Sequence, residues 1–147
     1  MDTFALPLVN VAAAIWVGAI VFQSFFVAPV LFRQVTGADA SRVLRALFPR
    51  FYWLGLGCGV AMLAGMLGAG LASRTDSSAV WLLSATVLML LAEIASLLLV
   101  PRINAARDAG AAGAGRFQAL HTLSVALTLL VLILGIAILV ALARGMT

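Results

Sequence analysis

One acidic residue stands inside a long apolar stretch of this sequence. Glu93 is the only glutamate and lies eight positions before Pro101, about 12 Å along a helix axis from that end. An ion at that depth in a bilayer costs roughly 3 kcal/mol, so the side chain must be neutral, paired or directed into a polar cavity. Glu93 is therefore interpreted as a proton or cation site, or as a neutral acid that hydrogen-bonds a neighbouring helix.

The single histidine, His121, falls about one turn into the last apolar stretch. If the last two stretches form an antiparallel hairpin, His121 lies at the depth of Glu93, and Gln23 of the first stretch lies at a similar depth. Ser124 shares a helical face with His121. These four residues predict one intramembrane polar pocket, in which Glu93 and His121 exchange a proton. The alternative is that His121 faces the membrane surface and never meets Glu93.

Sulfur side chains recur at helical spacing in the second apolar stretch. Cys58, Met62 and Met66 follow one another every four residues. Soft sulfur ligands select Cu(I) and related metals, so these three join His121 and Glu93 as candidate metal ligands. The alternative is that the sulfur side chains simply fill an apolar core.

The same stretch contains a pair of glycines four residues apart, Gly55 and Gly59. Small residues at this spacing let two membrane helices approach closely. The pair therefore predicts a packing face, either within one bundle or between protomers of a homo-oligomer, most simply a dimer.

The composition of the chain indicates the environment in which these candidate residues lie. The chain has 147 residues, of which 65% are hydrophobic and 10% are charged. Soluble domains have about half apolar and a quarter charged residues, so a lipid bilayer is the expected partner. The net charge of +4 comes from dispersed arginines rather than from a basic patch, which excludes nucleic-acid binding. One cysteine excludes an internal disulfide.

Four apolar stretches are long enough to cross a bilayer. They cover residues 6–32, 48–72, 79–100 and 120–143. Each must be helical, because backbone groups in lipid have to be paired within the segment. We predict an all-α, antiparallel four-helix bundle that forms a single transmembrane domain over residues 1–147.

The two longer loops carry most of the positive charge. Seven of the nine arginines lie in or beside the first and third loops, which predicts that these loops lie in the cytoplasm and that both termini lie on the external side of the membrane. In the first loop, Asp39 or Ser41 can cap a short amphipathic helix lying on the membrane surface. The third loop, residues 104–115, is rich in alanine and glycine and is expected to be mobile.

Short motifs at the helix ends point to a family. They read APVLFR at residues 28–33, LFPRFY at 47–52, PRINA at 101–105 and FxxLHxxS at 117–124. In this order they resemble the bacterial branch of the transmembrane protein 205-like family, also catalogued as domain of unknown function 4149. The resemblance covers nearly the whole chain.

The resemblance implies a four-helix membrane protein, metal handling or export, and a rim of motif residues at the cytoplasmic ends. Related small four-helix proteins are linked to copper uptake or haem. Those relatives place more than one histidine in the membrane, whereas this chain has one. Carried over residue by residue, the rim comprises Arg33, Pro49, Arg50, Tyr52, Pro101, Arg102 and Asn104, with His121 and Ser124.

Three functions remain open on the sequence. The leading hypothesis is a non-enzymatic protein that transports or handles a cation or heavy metal. The second is a redox-type protein that binds haem through His121, and the third is an accessory subunit of a larger membrane complex. No nucleophile elbow, metalloprotease motif, phosphate loop or carboxylate pair indicates an enzyme.

Overall fold

The computed structural model describes residues 4–145, and within that range the chain is helical with no strand. Four helical segments are long and apolar enough to cross a membrane. The predicted class, an all-α four-helix membrane bundle, is confirmed.

The first span is interrupted near its end. Helix α1 (Ala5–Phe22) leads into a π-helical turn (Gln23–Val27), and helix α2 (Ala28–Gln34) completes the span. Pro29 has no N–H to donate, and its ring crowds the carbonyl four residues earlier. Widening the preceding turn into a π-bulge relieves both problems. A proline inside the last turns of a span predicts a loosened backbone ladder, and the π-helical turn lies at that place.

The second span is a single helix, α3 (Gly37–Gly68), that continues through Pro49. The helix predicted in the first loop is present, but as the first turns of α3 rather than as a separate element on the membrane surface. The N-cap position is Thr36, and neither Asp39 nor Ser41 takes that position. Ala40 and Leu44 are buried, so these first turns of α3 pack against the bundle. They continue in line with the rest of α3.

A capped turn connects α3 to the third span. Gly70 adopts a left-handed conformation with φ of 74° before a short 3-10 turn (Leu71–Ser73). Asp76 is the N-cap residue of helix α4 (Ser77–Asp108), and its carboxylate accepts a hydrogen bond from the backbone N–H of Ala79 at 3.2 Å. Arg74 donates to the same carboxylate at 2.7 Å and holds the pKa of Asp76 below its usual value.

The third connection is shorter than the loop predicted over residues 104–115, because most of that segment is helical. Helix α4 continues to Asp108, a 3-10 turn (Gly110–Gly113) follows, and helix α5 (Ala114–Ala143) begins at once. Gly110 supplies the left-handed turn residue. A Cβ on Gly113 would overlap the backbone carbonyl of Ala106, so the tight reversal requires glycine there.

The four spans form a ring in which α1 and α4 each contact α3 and α5. Helix α2 departs from this ring, and among the described elements it packs against α3 and the π-helical turn alone. The core lies between the four spans. Its fully buried large side chains include Val9, Trp16, Ile20, Met62, Met66, Leu82, Met89, Val131 and Ile138.

Candidate functional site

Glu93 lies in the interior of the bundle, where α1, α3 and α4 meet. It is 2% exposed, and its Oε1 atom has no hydrogen-bond partner among the described residues. The buried Nε1 atom of Trp16 also has no hydrogen-bond partner within residues 4–145. Both atoms approach Gly55: a Cβ at that position would overlap Glu93 Oε1 and would lie 2.7 Å from Trp16 Nε1. We call Glu93, Trp16 and Gly55 the acid site.

The glycine pair of α3 faces the interior of the bundle. A Cβ on Gly59 would overlap the side chain of Leu90 and would lie 3.0 Å from Trp16 Cζ3. Both Gly55 and Gly59 are buried within one chain. Of the two alternatives left open by the sequence, these contacts favour packing within the bundle over packing between protomers.

A larger space lies at the end of the bundle where α2 splays away. This end cavity has a volume of about 410 Å³ and is walled by the π-helical turn, α2, and the facing ends of α3, α4 and α5. It exists because α2 leaves the ring after the π-bulge and makes no contact with α4 or α5. Cavities of this size accommodate drug-sized molecules.

Neutral polar groups line the middle of the end cavity. The hydroxyls of Tyr52 and Ser124 are hydrogen-bonded at 3.0 Å, and Thr128 donates to the Ser124 carbonyl at 3.0 Å. Gln23 and Ser24 lie on the opposite wall. The cavity therefore presents several uncharged donors and acceptors among aromatic and aliphatic side chains.

Two arginines lie at one end of the cavity, near the start of α3 and the end of α4. We call this the outer end of the cavity, because it is farthest from the middle of the bundle. Arg45 forms an ion pair with Asp108, using both terminal nitrogens. Arg107 donates to Ser41 Oγ at 3.1 Å, and its guanidinium lies 4.8 Å from the centroid of the Phe117 ring. Such cation–π contacts hold a guanidinium in place without neutralising it. These contacts tie the start of α3 to the end of α4.

His121 belongs to the end cavity, whereas Glu93 does not. His121 is exposed, lines the cavity and stacks on Phe117 with ring centroids 5.7 Å apart. Glu93 is directed toward α1 and α3, and no hydrogen bond or ion pair joins it to His121 within residues 4–145. The structure thus divides the predicted pocket: Gln23, Ser124 and His121 share the cavity, and Glu93 lies apart from it.

The sulfur side chains are core residues. Cys58, Met62, Met66 and Met89 are all buried in the same apolar cluster. The Thr86 hydroxyl donates to the Leu82 carbonyl at 2.9 Å and also lies 3.6 Å from Met66 Sδ. In the part of the chain that the structure describes, no group of three His, Cys, Asp or Glu side chains is placed to hold a metal ion. The burial of the sulfur side chains in the core cluster therefore favours the core-filling interpretation.

The residues of the predicted cytoplasmic rim fall into two groups, those that line the end cavity and those that do not. Tyr52, Asn104, His121 and Ser124 line the cavity. Other rim residues lie outside its lining: Pro49 is half-buried, and Arg33, Arg50, Pro101 and Arg102 are exposed. Arg50 instead donates to the Ala46 carbonyl of its own helix at 2.5 Å.

Sequence reasoning missed Trp16 in the acid site and two arginines in the end cavity. Trp16 is 1% exposed and contacts the acid site from α1. Arg45 and Arg107 were included only among the seven loop arginines that predict topology, although both line the cavity. A tryptophan near the middle of an apolar span, rather than at its interface, is the signal that could have drawn attention to Trp16.

The fold and the buried polar sites define a small multi-pass α-helical membrane protein. The family Domain of unknown function (DUF4149) matches residues 11–112, which is more than half of the chain, and the chain belongs to that family. No curated protein and no solved structure matches the chain.

Proposed function

We propose that this protein is a carrier that binds a small organic molecule in the end cavity and moves it within or across a bacterial inner membrane. The observation that carries the proposal is the cavity itself, a space of about 410 Å³ with apolar walls and a few converging polar side chains. That combination is characteristic of small-molecule sites. The splayed helix α2 supports an entry route, because it leaves one side of the cavity without a helix contact.

The charge of the lining argues for an organic ligand rather than a cation in this cavity. Arg45 and Arg107 line it, and no Asp or Glu does so among the described residues. A cation would meet net positive charge there. A cation or heavy-metal function would therefore depend on Glu93, and a proton is the cation that its small enclosed site would accept most easily.

Haem binding is kept as a second candidate because His121 lines the same cavity. A single axial histidine with apolar walls and nearby arginines is compatible with a haem edge and its propionates. The absorption spectrum of the purified protein tests this directly. A Soret band that disappears in His121→Ala would replace the carrier proposal by a haem protein.

The assembly and orientation of the carrier are part of the proposal. The arginine distribution supports first and third loops in the cytoplasm, with both termini outside. If the protein forms a homo-oligomer or joins a larger complex, the buried Gly55 and Gly59 are not available for that contact. The interface would have to use the lipid-facing surface.

Photolabelling tests whether the cavity binds a ligand. Purified protein in phosphatidylcholine vesicles would be irradiated with a diazirine-bearing long-chain alcohol, and labelled residues would be mapped by mass spectrometry. We expect saturable labelling of cavity residues that are not exposed to lipid, such as Leu132, which is half-buried and lines the cavity. The variant Ala28→Trp fills the cavity from α2 and should abolish that labelling.

The matched control is Val30→Trp, on the same helix at a position that is exposed and does not line the cavity. It should leave the labelling unchanged. Unsaturable labelling spread over all lipid-facing helices, with no effect of Ala28→Trp, would refute a ligand site in the cavity.

A further inference from the structure

The end cavity has the length of the apolar part of one membrane leaflet. Along α5 its lining runs from His121 to Leu132. Eleven residues of α-helix cover about 16 Å, and half of the hydrocarbon core of a bilayer is about 15 Å. A ligand that fills the cavity can thus be as long as a single lipid chain in one leaflet.

The charged residues are confined to one end of this length. Arg45 and Arg107 lie at the outer end, near the ends of α3 and α4, and Leu132 and Ile20 lie at the inner end. The polar residues between them are neutral, and Tyr52 and Ser124 are bonded to each other. The cavity therefore has the polarity of an amphiphile, with one charged end.

Only one of the two arginines is available to a ligand. Both terminal nitrogens of Arg45 are taken up by the carboxylate of Asp108. Arg107 makes one bond to a neutral hydroxyl, Ser41 Oγ, and no carboxylate forms an ion pair with it within residues 4–145. A guanidinium has five N–H donors, so Arg107 retains donors for a carboxylate or phosphate.

The cavity is open sideways at the level of the membrane. Phe25 and Val125 both line it, and they are 66% and 53% exposed. They belong to the π-helical turn and to α5, which flank the gap that α2 leaves. A chain already in the leaflet can enter through this gap without crossing water.

From these observations we infer that the end cavity binds a single-chain anionic amphiphile, with the anionic head at Arg107 and the chain running inward toward Leu132. The head is a carboxylate or a phosphate monoester, since both accept hydrogen bonds from a guanidinium. The inference rests on the proposed carrier function and specifies its substrate class.

Competition against the photoreactive alcohol tests the charge preference. Four competitors would be compared in phosphatidylcholine vesicles: hexadecyl phosphate, hexadecanoate, hexadecanol and inorganic phosphate. We expect the two anionic amphiphiles to displace the probe about tenfold more effectively than hexadecanol, as one charge-assisted hydrogen bond would provide. Inorganic phosphate, which has no chain, should not displace the probe.

Variants then assign the preference to one side chain. Arg107→Gln should remove the advantage of the anionic competitors while retaining displacement by hexadecanol, and Arg107→Lys should keep part of that advantage. Arg102→Gln, an exposed residue of the same helix outside the cavity lining, is the control and should behave as the wild type.

The outcomes separate this inference from the proposed function. If the alcohol labels the cavity but all three amphiphiles compete equally, or if Arg107→Gln keeps the anion preference, the inference is overturned while the carrier proposal stands. If no saturable labelling of the cavity occurs, the carrier proposal itself fails. Displacement by inorganic phosphate would show a simple anion site and would also overturn the inference.

Discussion

Replacing Gly55 with alanine tests the packing of the acid site. The new Cβ would overlap Glu93 Oε1 and would lie 2.7 Å from Trp16 Nε1. All three residues are buried, so the surrounding helices have to shift or a side chain has to leave its rotamer. Overpacking of this kind costs about 1–3 kcal/mol. For a chain of this size that corresponds to a Tm lowered by roughly 2 to 12 °C.

Gly57 provides the matched control for this experiment. It lies on the same helix two residues away, and a Cβ there would meet nothing within 4 Å. Gly57→Ala should therefore leave stability unchanged or raise it by up to about 1 kcal/mol, since alanine is the better helix former. Thermal unfolding of both variants in one detergent gives the comparison. Equal Tm values for Gly55→Ala and Gly57→Ala would refute the packing described for Glu93.

A second substitution assigns the clash to the carboxyl group. In a Glu93→Ala background the overlapping oxygen is absent, so Gly55→Ala should cost less than in the wild type. A coupling energy of about 0.5–3 kcal/mol is typical of residues in direct contact. Strict additivity of the two substitutions would show that Glu93 does not occupy the space beside Gly55.

Three further predictions concern orientation, coupling and pH. Reporter fusions at Gly110 and Thr147 should lie on opposite sides of the membrane, with Gly110 in the cytoplasm; a cytoplasmic signal at Thr147 would contradict this orientation. Glu93→Gln and His121→Ala should have additive effects on stability, within about 0.5 kcal/mol, because their surroundings are separate; a larger coupling would show a shared site. Arg74 and the N-cap bond lower the pKa of Asp76, so its stabilisation is present above the unfolded value, near 3.9, and is lost as pH falls through the lower folded value. The Tm difference between wild type and Asp76→Ala should be present at about pH 7 and should shrink in acid; a difference independent of pH would contradict it.

The number of spans and the fold class could be predicted from the sequence because they depend on local properties. About 20 consecutive apolar residues are enough to cross a bilayer, and an isolated segment in lipid has to be helical. The weakness of the backbone ladder near Pro29 followed in the same way from the chemistry of one residue. The helices are nevertheless longer than the predicted spans, since α3 begins at Gly37 and α4 ends at Asp108. The length of an apolar stretch predicts only the part of a helix that lies in lipid. It does not predict the full length of the helix.

The partners of each polar side chain were decided by the tertiary structure. Helical spacing placed His121 and Ser124 on one face, and both line the end cavity. It could not state that Glu93 faces Trp16 across Gly55, because that depends on how α1, α3 and α4 are rotated about their own axes. In a membrane protein the lipid-facing side is as apolar as the core, so hydrophobic pattern does not define this rotation.

The end cavity is the clearest feature that only the tertiary structure decided. The sequence shows Pro29 and the polar residues nearby, but a cavity requires that α2 leave the ring while the other helices stay in contact. That result depends on two things: the π-bulge, which turns α2 away from the bundle, and the close packing that keeps α1, α3, α4 and α5 in contact. The π-bulge follows from the local chemistry of Pro29, whereas the close packing of the helices exists only in the assembled bundle.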